Sequence, residues 1–249
     1  LEAPIGNSLP VLQTIDCTKQ VTRIAFSPDG RLLAIGQVGG IALYNPATGE
    51  EVAPFKPTPA AVLGLAFSPD SRHLASADIS DPAIKVWDVA ANEPKFEIRQ
   101  PPSSPRSLAI SPNGRLIAVP GPPKAIAGYT VNIWEMLDWD AKTSKTPYQL
   151  RYTLSGHSGY AEKLTFSHDG RYLASGSWDL TIKIWDLEAL EKDSKAKPVT
   201  LRGHSSFSYG LAFSPDGRHL ATSSGSARHG ELKVWDAAGW ENKADVGDR

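Results

Sequence analysis

A hydroxyl, an imidazole and a carboxylate lie close together in the sequence at Ser175, His157 and Asp179. In a catalytic triad the imidazole takes the proton of the hydroxyl, and the carboxylate orients the imidazole. A hydrolase would use this set, or would draw its acid and base groups from Glu162, Asp179, His204 and His229. However, the sequence contains no recognisable oxyanion-hole loop, and no pair of carboxylates stands in an apolar segment. We therefore expect no catalytic residue and no enzyme activity.

Residues that bind metals or phosphates are not grouped in this chain. The six histidines do not have the spacing of metal ligands, and the single cysteine, Cys17, excludes an internal disulfide and a cysteine-rich zinc site. The pair Gly39-Gly40 is not followed by the Gly-Lys-Ser/Thr of a phosphate-binding loop. The sequence predicts neither a metal nor a cofactor.

The charge balance excludes two classes of partner. The 249 residues include 26 Lys and Arg against 27 Asp and Glu, a net charge of −1, so no strong field attracts nucleic acid or an anionic membrane. No apolar run is long enough to span a bilayer, and no secretory signal is present. With the single cysteine, these features predict a cytoplasmic protein. Because the chain begins at Leu1 rather than Met, we expect it to be processed or trimmed from a longer chain.

An internal repeat in the sequence indicates the structural elements that position these residues. The phrase Phe-Ser-Pro-Asp-Gly-Arg, or a near copy, occurs five times, at 26–31, 67–72, 110–115, 166–171 and 213–218, with starts 41, 43, 56 and 47 residues apart. An aromatic residue and a polar residue follow each copy, at Tyr44-Asn45, Trp87-Asp88, Trp134-Glu135, Trp185-Asp186 and Trp235-Asp236. Repetition at this period indicates one supersecondary unit used five times.

Each unit has the pattern of short strands joined by turns. In the fourth unit, Leu164 and Phe166 lie two residues apart and therefore share one face of a strand. The Pro and Gly of the repeated phrase favour a turn, and the β-branched run at 181–185 favours a further strand. With the run before its loop, each unit supplies four strands, so the sequence predicts an all-β fold.

A four-stranded unit of this length with Trp-Asp at a strand end resembles the WD-repeat β-propeller family over roughly residues 11–236. The resemblance implies a β-propeller of four-stranded antiparallel blades. We expect five blades within 9–236, in units 16–54, 55–96, 97–147, 148–197 and 198–236, with 1–8 and 237–249 as flexible tails. In this family the first strand of each unit is the outer strand of the preceding blade. We therefore expect the segment 9–15 to complete the last blade and close the ring; an incomplete ring is the alternative.

The same resemblance gives the polar residues a structural role. It implies a hydrogen-bonded chain through His157, Ser175, Asp179 and Trp185 inside the fourth blade. The fifth unit departs from the pattern, because His229 stands where the acid is expected. We expect the fourth blade to be the most regular and the proline-rich third blade the loosest.

In this family, partners bind mainly at the upper face, near the central channel. Aromatic and arginine side chains, which dominate binding hot spots, are concentrated at the corresponding positions of the later units. The predicted partner-binding residues are Arg106, Tyr160, Glu162, Trp178, Phe207, Tyr209 and Arg228.

These observations predict a non-catalytic scaffold that binds a protein or peptide partner. We expect it to be a module of a larger regulatory or signalling protein, with flanking domains in the parent chain. The first alternative is a self-assembly module, in which an incomplete ring pairs between chains. A propeller hydrolase is the second, and the weaker, alternative.

Overall fold

The computed structural model describes residues 13–54, 60–99, 105–123, 128–141, 146–225, 230–238, 240 and 245–246. Over these residues the chain forms five β-sheets that follow one another along the sequence, with one short helix. Each sheet contains one blade of a β-propeller, and the strands of the blade are antiparallel to their neighbours. The predicted all-β class and the predicted five blades are confirmed.

Four blades contain four paired blade strands each. The first consists of β1 (Val21–Phe26), β2 (Leu33–Gln37), β3 (Gly40–Tyr44) and β4 (Glu51–Pro54). The second consists of β5 (Val62–Phe67), β6 (His73–Asp78), β7 (Ile84–Asp88) and β8 (Glu93–Ile98). The third consists of β9 (Ala109–Ile110), β10 (Leu116–Pro120), β11 (Tyr129–Met136) and β12 (Tyr148–His157). The fourth consists of β13 (Ala161–Phe166), β14 (Tyr172–Ser177), β15 (Ile182–Asp186) and β16 (Val199–Leu201).

The fifth blade has three strands among the described residues: β17 (Ser208–Phe213), β18 (His219–Gly225) and β19 (Gly230–Asp236). Of the segment expected to supply the fourth strand, 9–12 lies outside the described residues, and 13–15 does not form a strand. Instead, Ile15 and Cys17 pack against Ile35 and Tyr44 of the first blade. Closure of the ring by this segment stays a prediction.

The repeated phrase forms the turn between the first and second strands of each blade. In the first copy the Ser27 hydroxyl donates to Asp29 Oδ1 at 2.6 Å, and the Gly30 amide donates to the Ser27 carbonyl at 2.9 Å. Gly30 has φ = 71°, a left-handed conformation that glycine adopts without steric cost. Ser71, which replaces glycine in the second copy, has the same conformation with φ = 62°.

A separate apolar cluster lies at each joint between successive blades. Ile41 and Leu43 of the first blade, for example, pack with Phe67, Leu74 and Trp87 of the second. We call the side of a blade that meets the next blade its trailing face, and the side that meets the preceding blade its leading face. Trailing faces are built mainly from the third strand, whereas leading faces carry the aromatic residues of the repeat.

The C-terminal segment differs from the flexible tail predicted for 237–249. Trp240 is buried, with its ring 5.7 Å from Tyr172 and 6.1 Å from Phe213 between centroids. The strand β20 (Asp245–Val246) pairs parallel to β16 at the outer edge of the fourth blade. Trp240 therefore lies at the joint between the fourth and fifth blades, and the tail prediction is wrong at Trp240 and β20.

Just after β15, the short helix α1 (Leu187–Lys192) begins at an N-cap, Asp186, whose carboxylate accepts a hydrogen bond from the Ala189 amide at 3.1 Å. Such a cap satisfies an amide that has no partner within the helix. The acidic residue of the repeated Trp-Asp pair thus ends one strand and starts the helix.

Candidate functional site

The polar residues of the fourth blade form one continuous chain of hydrogen bonds. His157 Nδ1 lies 2.8 Å from Asp179 Oδ2, and His157 Nε2 lies 2.8 Å from Ser175 Oγ. The Trp185 indole donates to the same serine oxygen at 2.9 Å. The chain therefore joins the end of β12 to β14, to β15 and to the turn between these two strands.

The direction of donation follows from the charge states. Burial lowers the pKa of His157, so the imidazole is neutral. Burial alone would raise the pKa of Asp179, but hydrogen bonds from His157 and Thr181 hold it well below its usual range. A neutral imidazole donates from Nδ1 to the carboxylate and accepts at Nε2 from the Ser175 hydroxyl. Every member of the chain is then satisfied, which is the condition under which a buried network stabilises a fold.

The same geometry argues against a catalytic triad. Ser175 is fully buried, and its oxygen already accepts from the Trp185 indole. A nucleophile needs access to a substrate, and none reaches a hydroxyl enclosed between two strands. Ser175, His157 and Asp179 therefore form a structural network with Trp185, which we call the brace of the fourth blade.

The fifth blade builds a related chain with a different acid. His204 Nε2 lies 2.7 Å from Thr222 Oγ1, to which the Trp235 indole donates at 2.8 Å. The carboxylate is that of Glu231, whose Oε2 lies 3.2 Å from His204 Nδ1. Hydrogen bonds from the Ser205 amide and from His204 lower the pKa of Glu231 to about 2. His229, the residue expected in this place, lies outside the described residues.

A row of aromatic rings crosses the upper face from the third blade to the fifth. Ring centroids are 6.0 Å apart between Tyr129 and Tyr160, 5.8 Å between Tyr160 and Trp178, and 5.6 Å between Trp178 and Phe207. The Arg106 guanidinium lies over the Trp178 ring, 5.4 Å from its centroid. Trp178 and Phe207 are exposed. We call Tyr129, Tyr160, Trp178, Phe207 and Arg106 the aromatic row.

The middle of the aromatic row is anchored by a hydrogen bond between two blades. The Arg106 amide donates to the Tyr160 hydroxyl oxygen at 3.1 Å. Burial raises the pKa of Tyr160 to about 12, so its hydroxyl stays protonated. Tyr160 thus supports the row from below, while Trp178 and Phe207 present their rings to solvent.

Glu162 and Tyr209 occupy a bulge near the start of the first strand of their blades. The pairing register shifts between Ala161 and Lys163 and between Ser208 and Gly210, and a bulge redirects the side chain of the extra residue. Tyr209 is exposed. Glu162 is buried, and its Oε2 accepts no hydrogen bond from the described residues.

Two cations beside Glu162 were not among the sequence-predicted site residues. Arg23 of the first blade donates to the Arg106 carbonyl of the third blade at 3.5 Å, and its charge also acts on Lys163 and Glu162 of the fourth. Contacts between blades that are not neighbours place these residues around the central channel. Burial, and then the charge of Arg23, lower the pKa of Lys163 to about 8. Their signal in the sequence is a shared repeat position, three before Phe26 and Phe166.

The structure thus brings together Arg106, Tyr160, Trp178 and Phe207, with Tyr209 and Glu162 on the next positions of the same face. Arg228 lies outside the described residues. In the part of the chain that the structure describes, no three His, Cys, Asp or Glu side chains come close enough to hold a metal ion. Among the same residues, no helix has the length and apolar character needed to cross a bilayer.

Comparison with known families identifies the repeats. The family model described as "WD domain, G-beta repeat" matches residues 9–40, 49–88, 148–186 and 196–236, more than half of the chain. The third unit, which has a first strand of only two residues, is the one without a match.

Several known proteins are similar to this chain over part of their length. Periodic tryptophan protein 2 of Arabidopsis thaliana is 32% identical over 173 residues, which cover 68% of this chain and 17% of that protein. WD repeat-containing protein 1 of Gallus gallus is 28% identical over 72% of this chain and 28% of its own length. Small ribosomal subunit protein RACK1 of Dictyostelium discoideum is 38% identical over 23% of this chain and 17% of its own. The chain therefore spans less than a third of each of these relatives.

Proposed function

The chain belongs to the WD-repeat β-propeller family, and on that premise we propose that it is a non-catalytic scaffold that binds a protein or peptide partner on its upper face. The aromatic row is the observation that carries the proposal. Large aromatic side chains and arginine supply most of the binding free energy in protein interfaces.

The form of this surface suits a polypeptide. Trp178, Phe207 and Tyr209 are exposed on one face, so that an extended partner could cover several rings at once. The Arg106 guanidinium above Trp178 adds a donor at the edge of the apolar surface.

Two observations support a non-catalytic role. The Ser-His-Asp set is enclosed in the fourth blade, where it braces the strands, and the fifth-blade histidine is bonded in the same way. Among the described residues, the remaining acidic candidate, Glu162, has no histidine or second carboxylate bonded to it. We infer that the face binds its partner without transforming it.

The relatives support a role within larger assemblies. One of them is, by its name, a protein of the small ribosomal subunit, and this chain spans 17% of its length. We propose that the present propeller likewise acts as a recruiting module of a larger regulatory or signalling protein. Its location in the cytoplasm remains a prediction from composition.

The proposal is tested by selecting peptides that bind the whole chain from a displayed library and measuring their affinity for variants. We expect Trp178→Ala and Phe207→Ala to weaken binding by at least about tenfold, because each removes an exposed anchor. The matched control is Leu150→Ala, which shortens an exposed apolar side chain on the outer strand of the third blade. If Trp178→Ala and Phe207→Ala leave the affinity as unchanged as the control does, the binding surface lies elsewhere.

A further inference from the structure

The first and fifth blades each expose apolar side chains whose counterparts in the other blades are buried or half-buried. On the fifth blade, Leu232 is 73% exposed and Val234 is 63% exposed. On the first blade, Ile24 is 63% exposed and Phe26 is 61% exposed. These pairs belong to the trailing face of the last blade and the leading face of the first.

The counterparts of Leu232 and Val234 show what normally covers a trailing face. Each other blade has two aliphatic residues at the same distance before its aromatic repeat residue, and all are at most 4% exposed: Ile41 and Leu43, Ile84 and Val86, Val131 and Ile133, Ile182 and Ile184. They are covered by the leading face of the blade that follows. Among the described residues, no leading face covers Leu232 and Val234.

The counterparts of Ile24 and Phe26 give the complementary result. Each packs against the trailing face of the preceding blade. Four of them are at most 8% exposed, namely Phe67, Leu108, Leu164 and Phe166, and the other four are half-buried, namely Leu65, Ile110, Leu211 and Phe213. Only the outer part of the first leading face is covered, where Ile15 and Cys17 reach Ile35 and Tyr44. The inner part, at Ile24 and Phe26, is not covered by any of the residues that the structure describes.

The backbone of the fifth blade also has an open strand edge among the described residues. Among the described residues, β19 bonds only to β18, whereas β3, β7, β11 and β15 each bond to a strand on either side. An exposed strand edge next to an apolar face favours association with another β-structure. The fifth blade therefore presents both a face and an edge to a partner.

We propose that a second copy of this chain docks head to tail, with the trailing face of its fifth blade on the leading face of the first blade. Each successive pair of blades in the chain is joined by a trailing face packed on a leading face. One chain exposes both of these faces, the trailing face of its fifth blade and the leading face of its first. A second copy therefore supplies the matching face at either end, and the net charge of −1 opposes this contact only weakly. Two such joints close a two-chain ring if the rotation permits, and otherwise extend a chain of copies. This contact is independent of the upper face.

Analytical ultracentrifugation of the whole chain over about a hundredfold range of concentration tests the proposal. We expect twice the chain mass or more at the upper end, and monomer for Val234→Asp and for Phe26→Asp, each of which places a charge in the joint. The matched control is Leu150→Asp, which adds the same charge to an exposed apolar position outside the joint and should associate like the parent.

A mixture of the two joint variants tests the head-to-tail geometry. Val234→Asp retains an intact leading face and Phe26→Asp retains an intact trailing face, so an equimolar mixture should form a dimer through one joint. A mixture that stays monomeric would overturn the head-to-tail arrangement. A parent chain that is monomeric throughout would overturn association altogether; protection of 230–236 from hydrogen exchange would then identify closure within one chain.

Discussion

The fourth and fifth blades are built from nearly the same repeat but stand in different surroundings. In the fourth, Ile184 is 1% exposed between two neighbouring blades; in the fifth, Val234 occupies the same repeat position and is 63% exposed. The histidine of the fourth blade is bonded to an aspartate with a side chain that is 7% exposed, whereas that of the fifth is bonded to a glutamate that is 35% exposed.

This difference shows which properties belong to the repeat and which to its neighbours. Strand order, turn geometry and the indole-to-hydroxyl bond recur in both blades because they depend on residues within one unit. Burial of the trailing face depends on a second unit. In repeat proteins stability is the sum of such intrinsic and nearest-neighbour contributions, so the two blades separate them in one molecule.

The largest effect is expected from truncating the aliphatic side chain at the same repeat position in each blade. Ile184→Ala should lower the free energy of unfolding by about 2–5 kcal/mol, because it leaves a cavity in a packed joint. Val234→Ala, at an exposed position, should change it by no more than about 0.5 kcal/mol when the chain is monomeric. Urea unfolding at low protein concentration measures both. Equal losses would mean that the fifth trailing face is covered within a single chain.

The second effect concerns the brace of the fourth blade. Asp179→Ala should cost about 1–3 kcal/mol, because the buried His157 N–H loses its acceptor. Asp179→Asn keeps an oxygen acceptor and should cost less, and Asp193→Ala, at the exposed end of α1, is the control for loss of a carboxylate. A melting midpoint unchanged in Asp179→Ala would show that the hydrogen-bond chain does not stabilise the blade.

The sequence predicts the contacts within units better than those between the ends. Counting from the repeated phrase predicts that Tyr160, Trp178 and Phe207 lie together on the upper face, and in the structure their rings are in contact. Glu231 escaped prediction because the acid was sought at the position of Asp179, and a longer side chain can reach the histidine from a different residue. Exposure of Val234 could not be predicted, because an aliphatic residue in a strand has the same pattern whether or not the next blade is present.

The third effect is a dependence of stability on pH that arises in the fourth blade. Because burial lowers the pKa of His157, the folded chain resists protonation there while the unfolded chain takes up a proton below its ordinary pKa. Unfolding is therefore favoured as the pH falls, and between pH 7 and pH 5 we expect a loss on the order of 1 kcal/mol. Asp179 adds nothing in this window, because its lowered pKa gives stability that is lost only at more acidic pH.

Denaturant unfolding of the parent and of His157→Gln at several pH values measures this dependence. The variant should be less stable at pH 7 but should show a shallower fall toward pH 5, since it has no imidazole to protonate. His168→Gln, which changes an exposed turn histidine, should follow the parent. Parallel curves for the parent and His157→Gln would mean that His157 does not remain neutral in the fold.

The smallest effect is expected at the exposed acid of the fifth blade. Glu231→Gln should destabilise the chain less than Asp179→Asn, because solvent screens a charge at this position more than one inside the fourth blade. The pKa of Glu231 is lowered to about 2, so its contribution is present above the ordinary glutamate value and is lost as the pH falls toward 2. The difference in melting midpoint between the parent and Glu231→Gln should therefore narrow below about pH 4.5. A difference that instead persisted in acid would assign the effect to the shape of the side chain, and the two braces would then differ in kind, not only in burial.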